Sequence, residues 1–394
     1  MTRYRSFDEH RKADGGPKRI LSLDGGGLRG MMTVQVLRKI EGLLQERFND
    51  QKMVLGDYFD LIAGTSTGAI IAGGLSLGMT VDEIEGHYKD LGDKVFMHSF
   101  WRRGIVRDSY DANAVAEALK GVFGEAPLKR QDFKTGLVVV AKRLDTGSTW
   151  VLTNNPDAKY FWPNPARPQT IANGEYPLWQ VVRASTAAPT FFAPEEIRIH
   201  VEDAEREDTV GLFVDGGCSP HNNPSLQALM AATMKGYGFE WTAQPDKLLL
   251  VSVGTGKADP GVDLSGKFAG LAAAQGVLAL KNLMEDCGDL VETMMQWLSV
   301  SLTRRPIDRA MGAVGPALGG NALLTYERYN ALFTKEWFKE ALGQDVDAKY
   351  LENMQEMDKP ENLGELARLG RAVAERQVRA EHLPEAFNVG VRVG

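Results

Sequence analysis

Ser66 is the residue of this chain placed to act as a nucleophile. It stands in Gly64-Thr65-Ser66-Thr67-Gly68, directly after the apolar run Tyr58-Phe59-Asp60-Leu61-Ile62-Ala63. A strand that runs through a tight turn into a helix holds such a serine on a strained elbow with its oxygen exposed. A second glycine-framed segment, Asp24-Gly25-Gly26-Gly27-Leu28-Arg29-Gly30, follows the apolar run Ile20-Leu21-Ser22-Leu23. At a strand–helix junction of that kind, unpaired backbone N–H groups are aimed at an anion. Together the two segments suggest nucleophilic acyl transfer, with an activated serine and donors for an oxyanion.

Such a serine needs a base. Asp215 closes the run Val210-Gly211-Leu212-Phe213-Val214 and precedes Gly216-Gly217. A carboxylate near its reference pKa of about 4 is a weak base, but apolar surroundings and a short hydrogen bond to the serine raise its effectiveness. Taken alone, Asp215 reads equally as a turn residue before two glycines. The histidines are His10, His87, His98, His200, His221 and His382. Of these, His221 follows Asp215-Gly216-Gly217 closely enough to compete as the base of a Ser-His-Asp esterase. Its other reading is a surface residue before the helix start at Asn222-Asn223-Pro224.

Gly25, Gly27 and Gly30 also satisfy G-x-G-x-x-G, the dinucleotide-binding pattern. That fold requires a second strand ending in an acid that holds the ribose. Here the second strand ends in Ala63-Gly64-Thr65-Ser66, with Asp60 in its middle. The P-loop string G-x-x-x-x-G-K-[ST] is absent, so nucleotide binding at this loop is disfavoured.

The elements that must position these residues follow from periodicity. Residues 19–23, 58–63, 136–141, 149–153, 210–214 and 247–253 read as strands, with 149–153 antiparallel to 136–141 across the turn Asp145-Thr146-Gly147. In 31–48, Val34, Leu37, Ile40, Leu44 and Phe48 recur at helical spacing. A helix opens at Ser66, another at the capping box Thr80-Val81-Asp82-Glu83, and others cover 112–123 and 179–188. Residues 1–18 are expected to be a disordered tail, and 257–394 a helical extension packed on a catalytic core of residues 19–256. Strands alternating with helices imply an α/β fold, a mostly parallel sheet covered on both faces. Ligands of such sheets gather at the carboxyl ends of strands, where Asp24, Ser66 and Asp215 would all lie.

Composition narrows the partners. The net charge of −7 offers no broad basic field for nucleic acid or for anionic membranes. Cys218 and Cys287 are the only cysteines, which rules out a disulfide scaffold and fits a reduced, cytoplasmic setting. No apolar signal-peptide core is visible in residues 1–18. Residues 61–81 are uncharged and long enough to span a bilayer, yet their five glycines and Thr65-Ser66-Thr67 mark a buried strand, turn and helix.

Taken in order, these segments resemble the patatin-like phospholipase family. Asp24 to Gly30 matches its glycine-rich oxyanion loop, Gly64 to Gly68 its nucleophile elbow, and Asp215-Gly216 its catalytic aspartate motif. Residues 183–189, 222–224 and 253–256 are also similar to family segments, so the resemblance covers about 19–256. It implies a three-layer α/β/α core and a Ser66–Asp215 dyad that cleaves acyl esters of phospholipids, with no metal and no cofactor. It further implies an oxyanion hole from Gly25, Gly26, Gly27 and Thr67, supported by Arg29, Gly64, Gly68 and Gly216. Arg29 would orient the loop, add positive potential, or simply be ion-paired at a helix start. Some bacterial relatives are signal-regulated effectors, a second functional expectation. Two aromatic segments beside arginines, 95–101 before Arg102, Arg103 and Arg107, and 294–298 before Arg304 and Arg305, are candidates for peripheral membrane contact. Trp101 and Trp297 are their largest side chains, and plain core packing is the competing reading. Oligomeric state is not fixed by the sequence.

Overall fold

The computed structural model describes residues 2–14, 16–91, 112–189, 191–201, 209–258, 272–307, 320–389 and 391–392. Nine strands form the central sheet: β1 (Lys18–Leu23), β2 (Leu61–Thr65), β3 (Gly136–Arg143), β4 (Thr149–Thr153), β5 (Glu195–Arg198), β6 (Val210–Asp215), β7 (Leu248–Val253), β8 (Ser299–Val300) and β9 (Leu324–Tyr329). They lie in the order β8-β9-β7-β1-β2-β3-β6-β5, and β4 also pairs with β3. From β8 to β3 every pairing is parallel. The pairings of β4, β5 and β6 are antiparallel.

The principal helices are α1 (Phe7–Arg11), α2 (Gly30–Phe48), α3 (Thr67–Ser76), α4 (Val81–Leu91), α5 (Ala112–Phe123), α6 (Leu178–Ser185), α7 (Ser225–Thr233), α8 (Ala272–Trp297), α9 (Lys335–Leu342), α10 (Ala348–Gln355) and α11 (Leu363–Gln377). Side chains alternate across a strand, so each central strand feeds two cores. Leu21, Leu23, Ile62, Val139 and Val251 pack with Val34 and Leu37 of α2, Ile71 of α3 and Leu369 of α11. Ile20, Leu61, Ala63, Val138 and Leu250 pack with Ala228 of α7 and with Val291 and Met295 of α8. This is the α/β/α layering that the strand pattern implies. The capping box forms as expected, with the Thr80 N–H donating to Glu83 and the Glu83 N–H donating back to Thr80 Oγ1 at 3.2 Å.

Four expectations need correction. The N-terminal segment is not a loose tail: α1 buries His10, Lys18 Nζ donates to the His10 carbonyl at 2.7 Å, and Trp241 Nε1 donates to the Arg11 carbonyl at 2.9 Å. Polar residues there find buried partners that composition cannot reveal. Next, β2 starts at Leu61 because Leu55–Tyr58 is a helical turn capped by Asp57, whose carboxylate accepts from the Val54 N–H at 3.0 Å. β6 runs antiparallel and leaves Val210 and Leu212 exposed, so it is not a fully buried strand. Finally, residues beyond 257 are not a helical extension alone, because β9 pairs with β7 inside the main sheet. The segment 95–107, with Trp101, lies outside the described residues. Among the described residues no helix is long and apolar enough to cross a membrane.

Candidate active site

Ser66 sits between the end of β2 and the start of α3 with φ 55° and ψ −126°. A serine at positive φ is strained by an amount on the order of 1–3 kcal/mol and persists only when its surroundings impose it. They do so here. The Ser66 N–H donates to Ser185 Oγ at 2.9 Å, and that hydroxyl donates onward to the Val140 carbonyl at 2.6 Å. Thr65 Oγ1 donates to the His221 carbonyl at 2.6 Å. A side chain at Gly64 would strike the Gly68 carbonyl, and one at Gly68 would strike the Leu23 carbonyl. Elbow and glycine loop thus pack backbone to backbone.

Register brings Asp215 alongside. Thr65 of β2 pairs with Val140 of β3, and the next residue of β3, Ala141, pairs with Asp215. Although β6 is antiparallel, it ends level with the carboxyl ends of the parallel strands. Gly216 then turns the chain so closely over Val140 that a side chain there would meet its carbonyl. Ser66 Oγ donates to Asp215 Oδ2 at 2.5 Å, and the Gly217 N–H donates to Oδ1 at 2.7 Å. Ser66 is 9% exposed and Asp215 7%. Burial pushes the Asp215 carboxyl up to about 6, against the pull of its bonds from Ser66 and Gly217. Among the described residues no ion pair engages Asp215. His221, the competing base, makes no bond to Ser66 or Asp215: its Nδ1 is buried without a partner, and burial lowers its pKa.

The glycine loop is pinned on both flanks. The Asp24 N–H donates to the Val253 carbonyl at 3.1 Å, and the Leu28 N–H donates to the Met357 carbonyl at 2.8 Å. The Gly25 N–H donates to the Asn222 carbonyl at 3.1 Å, while the Gly25 carbonyl accepts from Thr255 Oγ1 at 2.8 Å. Gly25 is therefore removed from the expected oxyanion set, because its donor is spent. The N–H groups of Gly26, Gly27 and Thr67 have no acceptor among the described residues. Gly27 adopts φ 57°, and a Cβ there would lie 2.5 Å from the Met357 carbonyl oxygen, so only glycine fits. The Tyr88 hydroxyl ties the two segments together, donating to the Gly27 carbonyl and meeting Thr67 Oγ1 at 2.7 Å.

Arg29 is buried with its guanidinium 6.0 Å from the centre of the Phe333 ring, and its Nε has no hydrogen-bond partner. It forms no ion pair among the described residues. Sequence reasoning also missed three contributors: Ser185, Tyr88 and Met357. Only Ser185 left a signal, inside the segment 183–189.

Comparison with known proteins fits this geometry. The family model described as patatin-like phospholipase matches residues 21–229, just over half of the chain. A cGAMP-activated phospholipase of Escherichia coli is 32% identical over 217 residues, 54% of this chain and 55% of that protein. The calcium-independent phospholipase A2-gamma of Mus musculus is 33% identical over 266 residues, covering 64% of this chain and 30% of the mouse protein. Patatin-T5 of Solanum tuberosum is 26% identical over 249 residues, 60% of each chain. The chain thus spans little more than half the length of the bacterial phospholipases it matches. The matched stretch runs from β1 into α7 and holds the glycine loop, the elbow and Asp215, and on that basis the chain belongs to the patatin-like phospholipase family.

Proposed function

We propose that the protein is a lipid acyl hydrolase of the phospholipase A or lysophospholipase type, working through a serine acyl-enzyme with an aspartate base. The observation that carries this reading is the 2.5 Å hydrogen bond from Ser66 Oγ to Asp215 Oδ2 at a positive-φ elbow. Ser66 Oγ attacks the ester carbonyl carbon while its proton passes to Asp215 Oδ2. The negative charge that develops on the carbonyl oxygen is met by the N–H groups of Gly26, Gly27 and Thr67. The tetrahedral adduct collapses, the C–O bond to the alcohol breaks, and the proton held by Asp215 goes to the leaving oxygen. Water then attacks the acyl-enzyme while its proton passes to Asp215, and on collapse of that adduct the bond to Ser66 Oγ breaks, Asp215 returns the proton to Ser66 Oγ, and the fatty acid is released. Ser66→Ala is expected to abolish release of fatty acid from phosphatidylcholine while the fold persists. Wild-type rates in that variant would refute the reading.

The route to aggregated lipid is a second part of the proposal. Leu283, Leu290 and Trp297 stand seven residues apart on α8, all exposed, and Met284 of the same helix lies against Gly217. An apolar stripe beside the catalytic loop suits shallow insertion at a head-group boundary during peripheral contact from the cytoplasm. The arginines expected to assist are engaged elsewhere: Arg305 pairs with Glu292 at 2.7 Å, and Arg304 donates to the Ser299 carbonyl at 2.9 Å.

A regulated effector is the other reading, favoured by the likeness to relatives of Escherichia coli and Vibrio cholerae that are both cGAMP-activated phospholipases. Hydrolysis assayed with and without cGAMP separates the two. A rate that rises only with the nucleotide supports regulation, and an unchanged rate supports a constitutive hydrolase.

A further inference from the structure

Asp24 is the first residue after β1, and its buried carboxylate is gripped by a side chain from two strands away. Arg328 of β9 is in register with Ser252 of β7, which is in register with Ser22 of β1. Residues in register share a sheet face, and Asp24, two residues beyond Ser22, keeps to that face. The Arg328 side chain reaches across Ser252. Its Nη1 donates to Ser252 Oγ at 2.7 Å and to Asp24 Oδ1 at 2.8 Å, and its Nη2 donates to Asp24 Oδ2 at 2.6 Å. Behind it, Glu292 of α8 lies 3.8 Å from Arg328 Nε and is itself held by Arg305. A two-pronged guanidinium–carboxylate contact fixes orientation as well as distance.

Glycine has the freest backbone of any residue, so donors carried by consecutive glycines stay aimed only if their flanks are fixed. Asp24 is clamped by Arg328, Gly25 by Asn222 and Thr255, and Leu28 by the Met357 carbonyl. Between these anchors only Gly26 and Gly27 remain, the residues whose N–H groups are uncommitted. Arg328 and Met357 both come from beyond residue 229, where the family match ends.

We propose that Arg328 is a positioning residue for the glycine loop, acting through Asp24, and that the C-terminal strand β9 is thereby an obligatory part of the catalytic unit. This rests on the reading of Gly26 and Gly27 as oxyanion donors. Loss of the clamp lets those donors drift, and a displacement near 1 Å costs about 10²-fold in rate.

The test uses the full chain and a soluble short-chain ester. Removing one partner alone would strand a buried charge. The pair is therefore neutralised together in Asp24→Asn/Arg328→Gln, and the fork alone is removed in Arg328→Lys. Both variants are expected to melt cooperatively and to keep the wild-type KM. Their kcat should fall about 10²-fold, with fluorophosphonate labelling of Ser66 slowed in parallel. A purely structural pair would lower the melting temperature and leave kcat per folded molecule unchanged. That result, a loss confined to KM, or failure of both variants to fold would overturn the proposal. Absence of Ser66-dependent hydrolysis in the wild type would instead overturn the proposed function.

Discussion

Asp60 and Asp215 are both shut away from water at one central sheet, yet their surroundings give them opposite characters. Asp60 Oδ1 accepts from Arg5 Nη1 at 2.9 Å and faces His10 Nδ1 at 2.8 Å, while Oδ2 takes the Arg19 N–H and Nε, each at 2.8 Å. Burial alone would raise its pKa, but Arg19 and His10 reverse that and hold the carboxyl well below the ordinary range. Asp215 has one hydroxyl and one backbone N–H for partners, and burial leaves it near 6. A carboxylate saturated with cations is an anchor. One starved of them keeps an appetite for a proton near neutral pH and can serve as a base.

The largest expected effects break this contrast outright. Asp215→Asn should lower kcat by about 10³-fold, inside the range for loss of a general base, with little change in melting temperature. Asp60→Asn should do the reverse. It leaves Arg19 and Arg5 without their carboxylate and should cost about 3–5 kcal/mol of stability, while the molecules that stay folded keep their kcat. Denaturant titration paired with single-substrate kinetics reads both quantities in each variant.

A smaller effect sharpens the contrast through pH. Asp215 accepts a proton only as carboxylate, so kcat/KM should be flat above about pH 6 and fall roughly tenfold per unit below it. Asp60, with its folded pKa depressed, gives stability that is fully present above its unfolded value of about 3.9 and lost only as pH falls below that. Activity should therefore fade between pH 7 and 5 while the Asp60 contribution to the melting temperature persists. A flat rate profile down to pH 5 would contradict the assignment.

The smallest expected effect concerns the surface. Trp297 is 44% exposed at the end of α8. Trp297→Ala should slow hydrolysis of phosphatidylcholine vesicles severalfold and leave a soluble ester untouched. Equal losses on both substrates with a lowered melting temperature would return the residue to a packing role.

Much of the site was legible because its chemistry is written in short segments. Gly64, Gly68 and Gly216 stand where any side chain would meet a carbonyl, so the turns announce themselves as glycine-framed strings. Asp215 is marked in sequence as the residue that ends an apolar run. What stayed hidden depends on register between distant strands. Arg328 lies 304 residues from Asp24, and in sequence it is one more arginine in a polar stretch. The spent donor of Gly25 is likewise invisible until Asn222 is folded against it. The N-terminal anchor is hidden for a related reason: Arg5, His10 and Lys18 read as part of a polar tail, and only the fold brings Arg5, His10 and Arg19 onto Asp60 and Lys18 onto the His10 carbonyl.

The pairing of Ser66 with Asp215 is most directly tested by the rate and site of fluorophosphonate labelling, read by mass spectrometry of the intact chain and its peptides. The wild type should take up one label, on Ser66, and His221→Ala should label as fast. Asp215→Asn should label slower by about 10²–10⁴-fold, the span expected for loss of a general base. A label on another serine, or wild-type labelling in Asp215→Asn together with its loss in His221→Ala, would contradict the account and make His221 the base.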